Sequence, residues 1–198
     1  MHQGSVGRER LVDAAWDVLE RTGFEGFKVA SVIRAAGVST KTFYRYFDSK
    51  NDLFVELLRD EARRGSARIE RLVGDVEGPA ERVRAWIDAT MSAAARPELR
   101  ARAQLFSGLC QRRLDHPEVY AEIRGQLIAP LVAAIEDGVR LAELASPDAV
   151  ADAARIHDMC RSALADIVTG DGRDDVGDII AGIQDFAMRA LATTRSRS

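Results

Sequence analysis

One stretch decides the fold: residues Val29–Phe47 have the sequence VASVIRAAGVSTKTFYRYF. Val29–Ala36 has the spacing of a short helix, and Gly37 can adopt the left-handed backbone conformation that ends it. Ser39 is a suitable N-cap for a second short helix, Thr40–Phe47. Two short helices joined by a glycine-containing turn predict a helix-turn-helix, a motif whose second helix lies in the major groove of DNA.

The second helix of this motif has one apolar side and one polar side. Phe43 and Phe47 are four residues apart, so both can face the core. The remaining positions are hydrogen-bonding or cationic: Thr40, Lys41, Thr42, Tyr44, Arg45 and Tyr46. The alternative is that the tyrosines belong to the core and that the cations form an ordinary solvated face. Because the polar side is short and rich in donors, we interpret it as a DNA-reading surface.

The rest of the chain has helical periodicity with almost no alternating strand pattern. The first helix is expected over Gly7–Arg21, and Ser49 and Asp52 form a capping-box pattern before a fourth helix over Lys50–Gly74. Proline or aspartate opens each later helix: Pro79–Ala95, Pro97–Leu114, Pro117–Leu144, Pro147–Thr169 and Asp175–Leu191. Pro130 lies inside the seventh helix and predicts a kink or break there. The predicted fold class is all-α, with about nine helices.

Charge is distributed unevenly along the 198 residues. The whole chain has 28 Lys and Arg against 31 Asp and Glu, a net charge of −3. Residues 1–50 contain 8 basic and 6 acidic side chains, and the remainder therefore contains 20 and 25. A mildly basic start on an acidic body fits local phosphate binding. Two distant cysteines and the lack of a long apolar run or signal-peptide core indicate a soluble, cytoplasmic protein.

Two segments carry a family resemblance. Residues 37–54, GVSTKTFYRYFDSKNDLF, resemble the signature of the TetR (tetracycline-repressor) family of transcriptional regulators, and residues 14–24, AAWDVLERTGF, are similar to the first helix of that family. The close match covers about residues 8–58. The resemblance implies a three-helix DNA-binding domain at residues 1–49 and a helical ligand-sensing and dimerisation domain at residues 50–198.

The resemblance also implies roles for individual residues in DNA binding. Base contacts would come from Thr40, Lys41, Thr42 and Arg45, contacts to phosphate or thymine methyl from Tyr44 and Tyr46, and a phosphate contact from Lys50. The chain departs from the family pattern at Lys28, Ala30 and Ile33, which replace a capping, a polar and a small residue. These departures leave Lys28 and Ser31 as candidate phosphate contacts of the second helix. The alternative for Lys50 is that it is an ordinary helix-terminal residue with no role in DNA binding. A cation is unfavourable at a helix N-terminus, however, and this local cost favours a phosphate contact.

The last two helices have wide apolar stripes. Burial within one subunit takes part of each stripe, and their breadth suits a second contact between helices. The stripes contain Val150, Ala153, Ala154, Ala163, Leu164, Ile167 and Val168, then Val176, Ile179, Ile180, Ile183, Ala187 and Leu191. Small residues such as Gly182 among them allow close helix approach. The resemblance implies a homodimer with a two-fold, four-helix interface built from these helices.

Family resemblance further implies an effector cavity among the fifth to eighth helices. The candidates are bulky, soft or isolated polar residues: Trp86, Thr90, Met91, Gln104, Phe106, Cys110, His157 and Met159. The alternative for each of them is plain core, which is the more frequent role of such residues. A mostly apolar pocket would take a lipophilic or aromatic ligand. The fourth helix follows the reading head directly, so its tilt could transmit a change.

The sequence is compatible with three functions. The favoured one is a sequence-specific double-stranded DNA-binding regulator, a repressor released from its operator by a small, mostly apolar effector. The alternatives are a DNA-binding protein without an effector, and a helical enzyme or cofactor-binding protein. His157 and Cys160 could share a metal, but a packed polar residue and a buried thiol explain them as well. Because the chain has no phosphate-binding glycine loop or nucleophile elbow, we predict no enzyme activity, no metal site and no cofactor.

Overall fold

The computed structural model describes residues 3–95, 97–111, 117–169 and 175–193, and this part of the chain is all-α, as predicted. Its helices are α1 (Gln3–Gly26), α2 (Val29–Ala36), α3 (Thr40–Tyr46), α4 (Lys50–Gly74), α5 (Pro79–Ala95), α6 (Pro97–Gln111), α7 (Pro117–Arg140), α8 (Ala149–Thr169) and α9 (Val176–Ala190). Over those ranges, none of the helices is long and apolar enough to span a bilayer.

The chain divides into two compact units. The first unit contains residues 1–62 with 101–123, and the second unit contains residues 63–100 with 124–198. Helix α4 has residues in both units. The predicted domain boundary between residues 49 and 50 falls inside the first unit, where α4 begins.

Helix α1 is longer than the predicted Gly7–Arg21. It begins at Gln3 and runs to Gly26, with one interruption at Gly23, whose φ of 62° and ψ of −176° are not helical. Glycine adopts this conformation without the penalty that a Cβ would bring. The predicted end at Arg21 is therefore five residues too early, because the helix continues to Gly26 across this interruption.

Helix α7 ends at Arg140 rather than at the predicted Leu144. The carbonyl of Gly138 accepts hydrogen bonds from the backbone N–H groups of Glu143 and Leu144, at 2.9 and 3.0 Å, which closes the helix end. Leu144 folds back over Gly138, where an added Cβ would lie 2.5 Å from the leucine side chain. The apolar spacing continues past the helix end because Leu144 belongs to the core without being helical.

Helix α8 begins after Asp148 and not at Pro147. The Asp148 carboxylate accepts a hydrogen bond from the N–H of Ala151 at 2.9 Å, which makes Asp148 the N-cap. Pro147 therefore lies one residue before the cap. Helix α9 begins in the same way, because Asp175 accepts from the N–H of Gly177 at 2.7 Å.

Pro130 does not break α7, which is continuous from Pro117 to Arg140. Because proline has no N–H, the carbonyl of Gln126 loses its helical partner. The buried Ser66 hydroxyl donates to this carbonyl at 3.1 Å. The indole N–H of Trp86 donates to the next carbonyl, that of Leu127, at 3.1 Å. Two side chains from α4 and α5 thus satisfy the backbone next to the proline.

In the first unit, α6 is attached to α1 and α4 through Arg102. Its guanidinium lies 4.2 Å from the ring centroid of the buried Trp16, and its Nε donates to the Glu61 carboxylate at 2.7 Å. Further along α6, Gly108 faces Phe24 so closely that an added Cβ would lie 2.8 Å from the ring. A charged contact and a close glycine contact together fix the position of α6 in this unit.

The core of the second unit is built from α4, α5, α7, α8 and α9. Its fully buried side chains include Val83, Trp86, Ile87, Met91, Leu131, Ile135, Ala153, Cys160 and Ala187. Burial raises the pKa of the Cys160 thiol to about 12. The thiol is therefore protonated at neutral pH, and Cys160 acts as a core residue.

Ala142, in the turn after α7, has a positive φ of 58°. An L-residue in this conformation costs about 1–2 kcal/mol, while glycine adds backbone entropy to the unfolded chain worth about 0.4–1 kcal/mol. We expect Ala142→Gly to raise the free energy of unfolding by about 0.5–1 kcal/mol, measured by urea denaturation. The matched control is Ala133→Gly, at an exposed position inside α7. This change should lower the free energy of unfolding by about 1 kcal/mol. Equal destabilisation by both changes would contradict the expectation.

Candidate nucleic-acid interface

The predicted helix-turn-helix is present, with its turn built as the sequence indicated. Gly37 has φ 64° and ψ 37°, the left-handed conformation that ends α2. The N–H groups of Gly37 and Val38 return to the carbonyls of Arg34 and Ile33, both at 3.2 Å. Ser39 then caps α3, its hydroxyl accepting from the N–H of Thr42 at 3.1 Å. Local hydrogen bonds therefore define both sides of the turn.

Phe43 and Phe47 anchor α3 in the core, as predicted. Phe43 is completely buried, Phe47 is 3% exposed, and their ring centroids are 5.6 Å apart. Tyr44 lies edge-on to Phe43 with 58% of its surface exposed. The two phenylalanines thus turn the opposite side of α3 outward.

The outward side of α3 presents four exposed side chains: Thr40, Lys41, Tyr44 and Arg45. Among the ion pairs within the described ranges, none includes Lys41 or Arg45. Two uncompensated cations beside a hydroxyl and a phenol form a surface suited to phosphates and base edges. The sequence placed these four residues on the polar side of the helix, and their side chains are exposed as expected.

Thr42 and Tyr46 are placed differently from the other four. Thr42 is half-buried, and its hydroxyl lies 2.9 Å from the Ser39 hydroxyl, within the cap of α3. Tyr46 is half-buried against α1, where an added Cβ on Gly7 would lie 3.1 Å from the tyrosine hydroxyl. Both side chains thus have structural contacts that the sequence did not indicate, and their DNA contacts stay predictions.

A polar cavity of about 250 Å³ lies beside Tyr46 in the first unit. Its lining residues are Arg8, Tyr46, Phe47, Asp52, Val55, Glu56, Arg59, Glu118 and Val119. The buried Glu56 carboxylate accepts from Arg8 at 2.5 Å, and Arg59 donates to Glu122 at 3.0 Å. The cations of this cavity are therefore engaged with carboxylates of the same unit.

Lys50 begins α4, as expected, but its ammonium has internal contacts. Its Nζ donates to the carbonyl of Phe27 at 3.1 Å and lies 5.2 Å from the ring centroids of both Phe27 and Phe54. These contacts offset the unfavourable position of a cation at a helix N-terminus. An ammonium has three donors, so a phosphate contact by Lys50 stays a prediction.

The two candidate phosphate contacts of α2 lie at its first turn. Lys28 is the N-cap residue, with an extended backbone, an exposed side chain and no side-chain cap bond. Its carbonyl accepts from the N–H of Ser31 at 2.9 Å, and Ser31 is half-buried. Lys28 thus offers a charge rather than a cap at this helix end.

Sequence reasoning missed one residue at the turn, Arg10. This residue lies on α1, and its Nη2 donates to the carbonyl of Ala36, the last residue of α2, at 2.9 Å. The contact spans 26 positions of sequence. The helical pattern of α1 marks Arg10 as exposed but contains no signal that connects it with the turn.

The predicted effector residues are divided between the units. Gln104, Phe106 and Cys110 lie in the first unit, and Trp86, Thr90, Met91, His157 and Met159 lie in the second. Within the second unit, the Trp86 and His157 rings approach to 6.3 Å between centroids. Trp86 and Met91 are completely buried in the core described above.

Three buried polar atoms of the second unit lack hydrogen-bond partners: Thr90 Oγ1, Gln126 Oε1 and His157 Nδ1. The Asp158 carboxylate is 3.7 Å from His157 Nδ1, too far for a hydrogen bond. Burial lowers the pKa of His157, and the Asp158 charge opposes this effect only in part. His157 is therefore a neutral imidazole. Over the described ranges, no group of three or more His, Cys, Asp or Glu side chains is arranged to hold a metal.

Comparison with known proteins agrees with this geometry. Residues 11–57 match the family model described as bacterial regulatory proteins, tetR family. A Bacillus subtilis HTH-type transcriptional regulator, YdgC, is 38% identical over 58 residues, which cover 29% of this chain and 30% of the relative. The aligned stretch also covers less than half of several other curated regulators.

Two solved structures share this fold over most of the chain. FadR from Bacillus subtilis in complex with stearoyl-CoA has a TM-score of 0.75 at 18% identity, covering 92% of this chain and 98% of its own. A transcriptional regulator from Saccharomonospora viridis in complex with choline also has a TM-score of 0.75 at 18% identity, covering 96% and 100%. The domain at residues 11–57 therefore matches the domain of the tetR family of bacterial regulatory proteins.

Proposed function

We propose that this protein binds double-stranded DNA through α3 and regulates transcription as a repressor. The observation that supports the proposal is the outward side of α3, where Thr40, Lys41, Tyr44 and Arg45 are exposed while Phe43 and Phe47 are buried. A short helix held by its apolar side can enter the major groove and present its polar side to base edges.

The proposed roles follow from chemistry and position. Lys41 and Arg45 are one helical turn apart on the same side of α3, where each can donate to guanine O6 and N7. Thr40 and Tyr44 occupy the same side and offer hydroxyl groups. Lys28, exposed at the start of α2, is suited to a backbone phosphate.

We further propose that the protein is a homodimer through α8 and α9. Phe186 is 52% exposed, and the space around Gly182 is open, with no atom within 4 Å of an added Cβ. Ile179, Gly182 and Phe186 share one side of α9 by their spacing. An exposed phenylalanine beside an open glycine suits close contact with a second helix. Two subunits would carry two reading helices and bind a pseudo-palindromic site.

The proposed effector is a small, mostly apolar molecule bound near Trp86 and His157. Thr90 Oγ1 and His157 Nδ1 are buried and unpartnered in the second unit, and they could bond a polar group of such a ligand. The fold relatives in complex with stearoyl-CoA and choline support small-molecule binding. The side chains of Trp86 and Met91 are fully buried, so the ligand would have to displace core atoms. A tenfold loss of DNA affinity needs about 1.4 kcal/mol of coupling.

DNA reading is tested by selection from random duplex oligonucleotides followed by substitution. The selected site should have two related half-sites about 34–36 Å apart, or a multiple of that distance. Lys41→Ala and Arg45→Ala should each weaken binding to this site by about 1–3 kcal/mol and relax preference at one or two base pairs. Fluorescence anisotropy on the site and its single-base variants measures both effects.

Lys28→Ala is the matched comparison for these changes. Loss of a phosphate contact should weaken binding to all duplexes alike. It should also lower the slope of log affinity against log salt concentration by about one. Recovery of asymmetric or single-stranded sites would contradict the proposal. So would altered sequence preference in Lys28→Ala with unchanged preference in Lys41→Ala.

Dimerisation is tested at the exposed side of α9. Phe186→Glu should convert the dimer to a monomer, because it places a charge where the apolar contact is proposed. Leu72→Glu is the control, since Leu72 is similarly exposed (49%) but lies on α4. Sedimentation velocity gives the mass, and circular dichroism verifies the helix content. A wild-type monomer, or a Phe186→Glu dimer, would contradict this interface.

Effector control is tested with the selected duplex and a panel of saturated acyl-CoAs, quaternary ammonium compounds and aromatic acids. At least one class should weaken DNA binding about tenfold or more. His157→Ala should reduce this release while leaving DNA affinity without ligand unchanged. Arg155→Ala is the control, because Arg155 is an exposed residue of the same helix. DNA binding that none of these compounds changes would favour a regulator without a small-molecule effector.

A further inference from the structure

The end of α2 is held by a side chain from another helix. Two of its last carbonyls, those of Ile33 and Arg34, accept from N–H groups within the turn. The carbonyl of Ala36 instead accepts from Arg10 of α1 at 2.9 Å. Helix ends leave carbonyls that need partners, and an arginine is a favourable partner because it also complements the negative end of the helix dipole.

The position of Arg10 over the turn is fixed from both sides. The next residue on α1, Leu11, is completely buried, which anchors the backbone from which Arg10 extends. On the other side, an added Cβ on Gly37 would lie 3.4 Å from Nη2 of Arg10. The planar guanidinium therefore lies against the left-handed residue itself.

Arg10 has no competing partner within the described ranges. Its bond to Ala36 is to a neutral carbonyl, and no carboxylate there forms an ion pair with its guanidinium. Arg8, two residues earlier on α1, is paired with the buried Glu56. Of these two arginines of α1, Arg8 thus forms an ion pair with a buried carboxylate, and Arg10 caps the end of α2.

The orientation of α3 depends on the turn that precedes it. Helix α3 has 7 residues, too few to form a stable helix without tertiary contacts. Small changes at Gly37 would be carried directly to the first turn of α3, where Thr40 and Lys41 lie. Site geometry has to hold within about 0.5 Å and 10–20° to be effective.

We propose that Arg10 is a positioning residue for sequence reading. By locking the carbonyl end of α2 across Gly37, it sets the angle at which α3 presents its side chains. Arg10 thereby determines selectivity among DNA sequences more than overall affinity. The effect on DNA selectivity rests on the proposed DNA-binding function. The lock, which is the hydrogen bond from Arg10 to the carbonyl of Ala36, is a property of the protein without DNA.

The lock is tested first without DNA, by hydrogen exchange in Arg10→Gln, Arg10→Lys and Arg21→Gln. Arg21 is the matched control, because it is an exposed α1 arginine that donates to the carbonyl of Asp17 at 3.0 Å, away from the turn. The amides of Gly37 and Val38 should exchange about tenfold faster in Arg10→Gln, consistent with loss of one charge-assisted hydrogen bond. Arg10→Lys should raise the exchange rates of these two amides by a smaller factor, and Arg21→Gln should leave them unchanged. Unchanged exchange in Arg10→Gln would overturn the lock.

The consequence is tested on the selected duplex and a shuffled duplex of the same length. In Arg10→Gln the ratio of the two affinities should fall about tenfold while the shuffled duplex binds as before and the salt slope is unchanged. A uniform loss on both duplexes, with a salt slope lower by about one, would overturn the proposal and make Arg10 a phosphate contact. If the wild-type protein binds no duplex, the proposed function fails, and the exchange measurement still decides whether Arg10 locks the turn.

Discussion

The burial of Phe43 and Phe47 is the constraint on which the reading surface depends. A helix of 7 residues has no stability without tertiary contacts, so its existence requires that these two rings be buried. Removing a buried phenylalanine side chain costs about 3–5 kcal/mol. Because the rings take one side of α3, the polar residues between them are directed outward. The exposure of the polar side of α3 is thus a consequence of core packing.

The elements that sequence predicted well are those determined by neighbouring residues. Gly37, the Ser39 cap and the Phe43–Phe47 spacing act within a few positions, so a single sequence contains them. The contacts it did not contain connect distant positions, such as Arg10 with Ala36 and Lys50 with Phe27. Local patterns give the elements and their exposed sides, whereas polar contacts between elements depend on the tertiary arrangement.

Pro130 shows how tertiary contacts change the meaning of a local signal. A proline inside a helix predicts a kink or break. In the second unit the freed carbonyl is occupied by Ser66, and Trp86 donates to its neighbour at Leu127. The indole N–H of Trp86 is therefore engaged, whereas Thr90, Gln126 and His157 keep unpartnered polar atoms in the second unit. The proposed effector site rests on unpartnered atoms, not on the proline.

Net charge is a poor guide to which cations can meet DNA, because many cations of the first unit are already engaged. Arg8 and Arg102 contact carboxylates, and the Lys50 ammonium lies between two rings and a carbonyl. Lys41 and Arg45, by contrast, are exposed and have no carboxylate partner within the described ranges. Counterion release from DNA requires cations of this second kind. The basic excess of residues 1–50 therefore matters less than the pairing that leaves these two charges uncompensated on α3.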